Sequence, residues 1–174
     1  PHALRQSPDV ILIGEMRDAE TVMAALDATE TGHLVLSTLH TVNATQTLDR
    51  ILSFFKAEQH VQVRQRLADN LAAVLSQRLV PRKAGSGMVP AVELLISTPR
   101  VRELLYDGKT AELARVIEAG AEEDLISFNH SLRTLVEHDL IELDVALAAS
   151  DRPEELLLAL EGVRVTFVSQ DGAR

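Results

Sequence analysis

Pro8-Asp9-Val10-Ile11-Leu12-Ile13-Gly14-Glu15-Met16-Arg17-Asp18, answered by Gly32-His33-Leu34-Val35-Leu36-Ser37-Thr38-Leu39-His40, is the part of the sequence that decides the fold. Val10 to Ile13 is an unbroken apolar run, the pattern of a parallel strand buried on both faces. It stops at Gly14-Glu15. A carboxylate at the C-terminal end of such a strand lies on the rim where open α/β sheets bind ligands, and a glycine before it keeps side-chain bulk away. Leu34 to Leu39 is a second strand-like run, and it delivers His40 to its own C-terminal end. Between the runs, Asp18 is an N-cap candidate, Glu20 and Thr21 fall in a first turn, and residues 19–29 favour helix until Gly32 ends them. Strand, helix and strand make a βαβ unit, the repeating element of a parallel sheet.

Composition narrows the classes. The 174 residues are 46% hydrophobic, which suits one sizeable core with a small appendage. A formal charge of −9, from 26 acidic and 17 basic residues, argues against a broad nucleic-acid groove, which needs clustered Lys and Arg. The chain has no cysteine; disulfides, cysteine-ligated zinc and thiol catalysis are therefore excluded, and a reducing cytoplasm is the compartment that fits. No apolar run approaches the roughly 20 residues of a membrane span. The start, Pro1-His2-Ala3-Leu4-Arg5, has neither an initiator Met nor a signal-peptide pattern and reads as a chain cut in the middle.

Past His40, Asn43 can cap a helix with Gln46 at N3 and with Leu48, Ile51, Leu52 and Phe55 on one face. A longer helix is expected over residues 58–79, carrying Leu67, Leu71, Val74 and Leu75 and stopped by Pro81. Residues 81–87 form a turn signal, and Met88 to Ile96 reads as a strand with a hairpin partner or at a sheet edge. Thr98-Pro99 is a helix entry. Beyond it the texture changes to short, punctuated helices, closed by Asp107-Gly108 and Gly120, and opened by Ser127 and Pro153. We therefore expect domains at 1–97 and 98–174. The acidic run Glu122-Glu123-Asp124 reads as a solvated loop, and residues 164–170 as a strand-like tail without a partner, ragged or disordered.

Several residues carry chemistry if placed well. Glu15 is either a polar residue ending a strand or a carboxylate aimed at a ligand. His33 and His40 are seven apart, but a zinc site needs a third protein ligand, and only the remote His60 offers itself. His33 fits a strand-flanking histidine satisfied by backbone carbonyls. Arg17, Arg50 and Arg78 are each a phosphate ligand, an inter-subunit contact or a solvated charge, the last being the default for a single Arg; Arg17 also has Asp18 and Glu20 as nearby partners, which keeps it in a supporting place.

Asp9-Val-Ile-Leu-Ile-Gly-Glu-Met-Arg-Asp-Ala-Glu-Thr21 and Glu30-Thr-Gly-His-Leu-Val-Leu-Ser-Thr-Leu-His-Thr41 closely resemble the Walker B segment and histidine box of the secretion-superfamily ATPases, most nearly the PilT family of type IV pilus retraction motors. The similarity continues through Thr47-Leu-Asp-Arg-Ile51, Leu75-Ser-Gln-Arg-Leu79 and Val92-Glu-Leu-Leu95. The resemblance implies the C-terminal half of a RecA-like α/β core followed by a small helical subdomain. It implies that Glu15 polarises the water shell of Mg²⁺ or the attacking water, that Gly14 and His40 belong to the nucleotide site with His40 reading the γ-phosphate, and that Arg17 and His33 support them. Thr98 to Asp107 resembles the family's retraction helix, matching its usual Ala-Ile-Arg-Asn-Leu-Ile-Arg-Glu at Arg102 and Leu104 and departing at Arg100, Glu103 and Tyr106.

The implied parent is a hexameric cytoplasmic ATPase at the inner membrane, using ATP and Mg²⁺, meeting a pilus platform protein and a paralogous retraction ATPase, and not nucleic acid. The lack of cysteine favours the retraction branch over relatives with a four-cysteine zinc module. The sequence holds no Gly-x-x-x-x-Gly-Lys-[Ser/Thr] phosphate loop, and the family's acidic box and PAS-like domain are also missing; all would lie upstream of Pro1. Alternatives are a PilU-like accessory motor, a non-catalytic interaction module, and a nucleic-acid-translocating RecA-type motor, the last disfavoured by charge and by few aromatics for stacking.

Overall fold

The structure, a computed structural model, describes residues 8–120 and 124–162. The opening residues, most of the acidic run at 122–124 and the tail at 164–170 lie outside the described residues. The fold is α/β. The described residues fall into two compact units, one within Pro1–Ser76 and Leu94–Leu125, the other within Gln77–Glu93 and Ile126–Arg174. These divisions differ from the one at Thr98 that the change of texture suggests; the helices directly after Thr98 lie in the first unit.

In the first unit, β1 (Val10–Ile13) and β2 (Leu34–Ser37) pair in parallel with Val10 opposite Leu34 and Ile13 opposite Ser37. Helix α1 (Ala19–Glu30) makes the crossover, begun by Asp18, whose carboxylate accepts from the Thr21 amide at 2.8 Å. Helix α2 (Ala44–Ser53) is begun by Asn43 in the same way, through the Gln46 amide at 2.8 Å. The expected double burial of β1 is not what the structure shows. The register sets Val10, Leu12, Leu34 and Leu36 on one face, and Leu12 is 75% exposed there. Helix α1 packs against β2, while among the described residues no element covers the face bearing these four side chains.

The long helix expected over 58–79 is also corrected. A 3-10 turn, Ala57–Gln59, leads into α3 (His60–Asn70), and the chain then becomes β3 (Ala73–Pro81), which pairs with β4 (Met88–Ile96). A connection of residues 82–87 is far too short for a parallel crossover, so the pair is an antiparallel hairpin. Leu, Gln and Arg at 75–79 are helix formers, but Val74, Ser76, Arg78 and Val80 alternate with the exposed Leu75, Gln77 and Leu79. Pairing with β4 overrides local preference. Pro81 ends a strand, where its missing N–H matters little.

Helix α4 (Pro99–Asp107) begins with Thr98 accepting from the Val101 amide and ends at Gly108, whose φ of 72° needs glycine's freedom. Helix α5 (Thr110–Ala119) follows. Ala44, Leu48, Leu95, Val101, Leu104 and Leu113 form one core cluster, and Val22, Leu26, Ile51, Phe55 and Val63 lie in another.

The second unit comprises the turn end of the hairpin with α6 (Phe128–Glu137), α7 (Leu143–Ala149) and α8 (Pro153–Leu160). The short α7 was not anticipated from the sequence. Arg78 is absorbed here: it hydrogen-bonds to the Ala149 carbonyl at 2.7 Å and to Asp151 at 2.6 Å, with its guanidinium 3.9 Å from the Phe128 ring centroid.

Leu104, one of the two matches to the retraction helix, is fully buried in the first unit's core. Its truncation should therefore cost about 2–5 kcal/mol of stability. Tyr106→Phe, which removes only a partly exposed hydrogen bond to Asp69, should cost about 1 kcal/mol or less. Chemical denaturation of both variants checks the contrast, and equal midpoints would contradict this packing.

Candidate functional site

The two parallel strands end side by side, and hydrogen bonds continue their alignment into the loops beyond. The Met16 amide donates to the Thr38 carbonyl at 3.1 Å, and Thr38 Oγ1 donates to the Gly14 carbonyl at 2.5 Å. The loops consequently deliver Glu15, Arg17 and His40 to one place. Arg17 donates through Nε to Glu15 Oε2 at 2.6 Å, with Nη2 at 2.5 Å from the same oxygen. His40 Nε2 stands 3.4 Å from Glu15 Oε1. Both oxygens of one carboxylate thus face a side-chain nitrogen.

Glu15, Arg17 and His40 line a cavity of about 460 Å³, closed on its far side by Gln46, Asp49, Arg50 and Ser53 of α2. The four α2 residues recur at helical spacing opposite the buried stripe of Thr47, Leu48, Ile51 and Leu52. Thr41, also in the lining, is pinned by a 2.7 Å contact between its hydroxyl and that of Thr47. Asp49 accepts from Thr110 Oγ1 at 3.2 Å. Arg50 lies over the Phe54 ring, 4.7 Å from its centroid.

The sequence had singled out Gly14, Glu15, Arg17, His33, His40, Arg102 and Leu104, and the structure brings Glu15, Arg17 and His40 together. Gly14 adjoins them through its carbonyl without lining the cavity, and a Cβ built on it would meet nothing within 4 Å. His33 is not in the lining; its Nδ1 lies 3.0 Å from the Ala28 carbonyl and 3.0 Å from Thr31 Oγ1, at the end of α1. Arg102 donates to the Ser97 carbonyl at 3.2 Å and, with Leu104, stands on α4 outside the lining. Asp49, Gln46 and Ser53 were not anticipated. Their signal was the polar face of α2 opposite a clear apolar one, which by itself looks like any solvated helix face.

The electrostatics favour an ionised Glu15. The Arg17 hydrogen bond is the main influence holding its carboxyl below the ordinary range; partial desolvation opposes this, and the charges of Arg17 and His40 reinforce it. A carboxylate so held is an acceptor for water or for a donor on a ligand. It is a weak proton acceptor in the general-base sense.

A family model described as "Type II/IV secretion system protein" matches residues 2–128. The chain is 43% identical over 152 residues to "Type IV pilus retractation ATPase PilT" of Pseudomonas aeruginosa, an alignment covering 87% of this chain and 44% of that protein. It is 40% identical over 160 residues to "Type IV pilus ATPase PilU" of the same organism, covering 92% and 42%. Among solved structures it is similar to "Crystal Structure of the Pilus Retraction Motor PilT and Bound ADP", with a TM-score of 0.78, 42% identity and coverage of 88% of this chain and 43% of that one. The chain spans less than half the length of these relatives.

Because Arg17 is the main cause of the lowered carboxyl pKa of Glu15, Arg17→Ala should raise it toward the ordinary carboxyl range. The Glu15 contribution to stability is complete above the unfolded pKa and is lost as pH falls through the lower folded one. Carboxyl titration of Glu15 by NMR in the two proteins checks the shift, and an unchanged midpoint would mean that the ion pair is not populated.

Proposed function

The chain belongs to the type II/IV secretion system protein family, and from that premise we propose that it is the Walker B and histidine-box portion of an ATP-hydrolysing motor that powers type IV pilus retraction. The observation that carries the reading is the convergence of Glu15, Arg17 and His40 from two parallel strand ends onto one cavity, in a chain similar over most of its length to PilT. Ligands of open α/β sheets bind at this kind of rim.

In this reading Glu15 orients water beside the terminal phosphate of ATP, which is the work phosphoryl transfer asks of a carboxylate. His40, exposed and within reach of Glu15, presents a ring nitrogen to the phosphate and registers its presence or loss. Arg17 keeps Glu15 ionised. Mg²⁺ usually takes one or two carboxylates, phosphate oxygens and several waters. Glu15 and Asp49 are the carboxylates lining the cavity, a donor set that suits a largely hydrated ion. When bound, such an ion neutralises charge on the phosphates.

The parent is proposed to act as a cytoplasmic hexamer at the inner membrane, with a pilus platform protein and a paralogous ATPase as partners. Similarity to PilU at 40% identity supports a second reading, an accessory motor of the same machine. Turnover of the purified protein with and without its paralogue separates the two.

In the full-length protein, Glu15→Gln should lower ATP turnover by about a hundredfold or more while nucleotide binding stays within a few-fold, as expected for a group acting on the transferred phosphoryl. Unchanged turnover would remove Glu15 from the reaction. The 174-residue chain by itself, lacking a phosphate-loop sequence, should neither bind ATP tightly nor hydrolyse it. Turnover by that chain that depended on Glu15 would overturn the assignment.

A further inference from the structure

Arginines of this chain differ in whether their donors are already used. Arg17 spends its fork on Glu15, with contacts of 2.6 and 2.5 Å. Arg66 is held by Glu30 and Asp27 at 2.6 and 2.7 Å, and Arg78 by the Ala149 carbonyl and Asp151. Arg50 is different. It lines the cavity, it is exposed, and among the described residues its guanidinium makes no ion pair with a carboxylate. The neighbouring Asp49 turns to Thr110 instead.

Arg50 is nevertheless fixed in place. Its guanidinium lies over the Phe54 ring, 4.7 Å from the centroid, and Phe54 is the C-cap residue of the same helix. A cation–π contact engages the face of the guanidinium and leaves its N–H edge unspent. Arg78 also lies over an aromatic ring, Phe128 at 3.9 Å, but its edge is already satisfied. Arg50 has the platform and an open edge.

From this we infer that Arg50 is an oxyanion-binding residue of the cavity, taking a phosphate group across from Glu15 and His40. The inference rests on the proposed nucleotide site and adds to it a ligand from α2. A planar fork with several N–H donors matches the oxygens of a phosphate and forms charge-assisted hydrogen bonds with them. Glu15 is already neutralised by Arg17, so the Arg50 charge is the one in the lining available to a ligand dianion, with Asp49 beside it limiting how strongly anions are held when no phosphate is present. The phosphate can be the terminal group of a nucleoside triphosphate or the free inorganic phosphate left after hydrolysis.

The test uses the full-length protein and measures dissociation constants for AMP-PNP, ADP, and inorganic phosphate added to the ADP-bound form. Arg50→Ala should weaken AMP-PNP about tenfold or more, the usual effect of losing a hydrogen bond to a charged group, and ADP less than threefold. A matching loss for inorganic phosphate assigns the contact to the free product as well; retained phosphate affinity confines it to the bound nucleotide. Arg50→Lys should restore part of the difference, and Phe54→Leu should lose part of it with the charge still present. Equal weakening of all three ligands, or none, overturns the inference, as does loss of oligomer with unchanged affinities, which would assign the guanidinium to a contact with another copy. Absence of any nucleotide binding by the unmodified protein would instead sink the proposed function. Glu15-dependent hydrolysis with a silent Arg50 sinks only this inference.

Discussion

The parallel register of Val10–Ile13 with Leu34–Ser37 is the constraint on which the site depends. Parallel strands cannot be joined by a tight turn, so the pairing requires the α1 crossover, and Asp18, by capping α1, fixes where the first rim loop must end. The hydrogen bonds from Met16 to Thr38 and from Thr38 to Gly14 extend the alignment past the last paired residues. The separation of Glu15 and His40 is thus set mainly by backbone. A slip of one residue would turn every strand side chain to the opposite face and carry His40 away from the carboxylate.

Within that frame Glu15 is held from two sides by unequal partners. Arg17 makes short, charge-assisted contacts to Oε2, whereas His40 stands at 3.4 Å from Oε1 and is itself 89% exposed in its side chain. The tighter contact governs ionisation, and the looser one leaves an oxygen that a water or ligand donor can take. The same carboxylate can therefore be kept charged at one end and remain open at the other. A direct Arg17 fork over both oxygens would have closed the site to water.

Legibility in the sequence followed locality. The capping residues Asp18, Asn43, Thr98 and Ser127 were readable because a cap and its amide partner lie within three residues. The βαβ unit was readable from two apolar runs separated by a helical pattern. The residues 71–80 were not, since Leu, Ala, Gln and Arg support a helix and only a partner strand, distant in sequence, makes the period-2 reading correct. Double burial of β1 failed for a related reason: an apolar run states what a strand prefers to meet and not what covers it, and Leu12 and Leu36 remain exposed. Glu15 and His40 were found through strand ends and a family pattern. The α2 wall was missed because Gln46, Asp49 and Ser53 carry no spacing that distinguishes a cavity from solvent.

Helix α2 joins the site to the rest of the first unit through its two faces. Its polar face closes the cavity, and its apolar face is divided between the two cores: Ala44 and Leu48 pack with Val101, Leu104 and Leu113, while Ile51 and Leu52 pack with Val22 and Val63. Asp49 adds a hydrogen bond to Thr110 at the start of α5. A close-packed interior transmits displacement because it cannot absorb it in empty space. A shift of α2 at the cavity must then move α4 and α5 with it or open a void beside Leu48. Leu104 is a fully buried member of the core that α2 shares with α4 and α5.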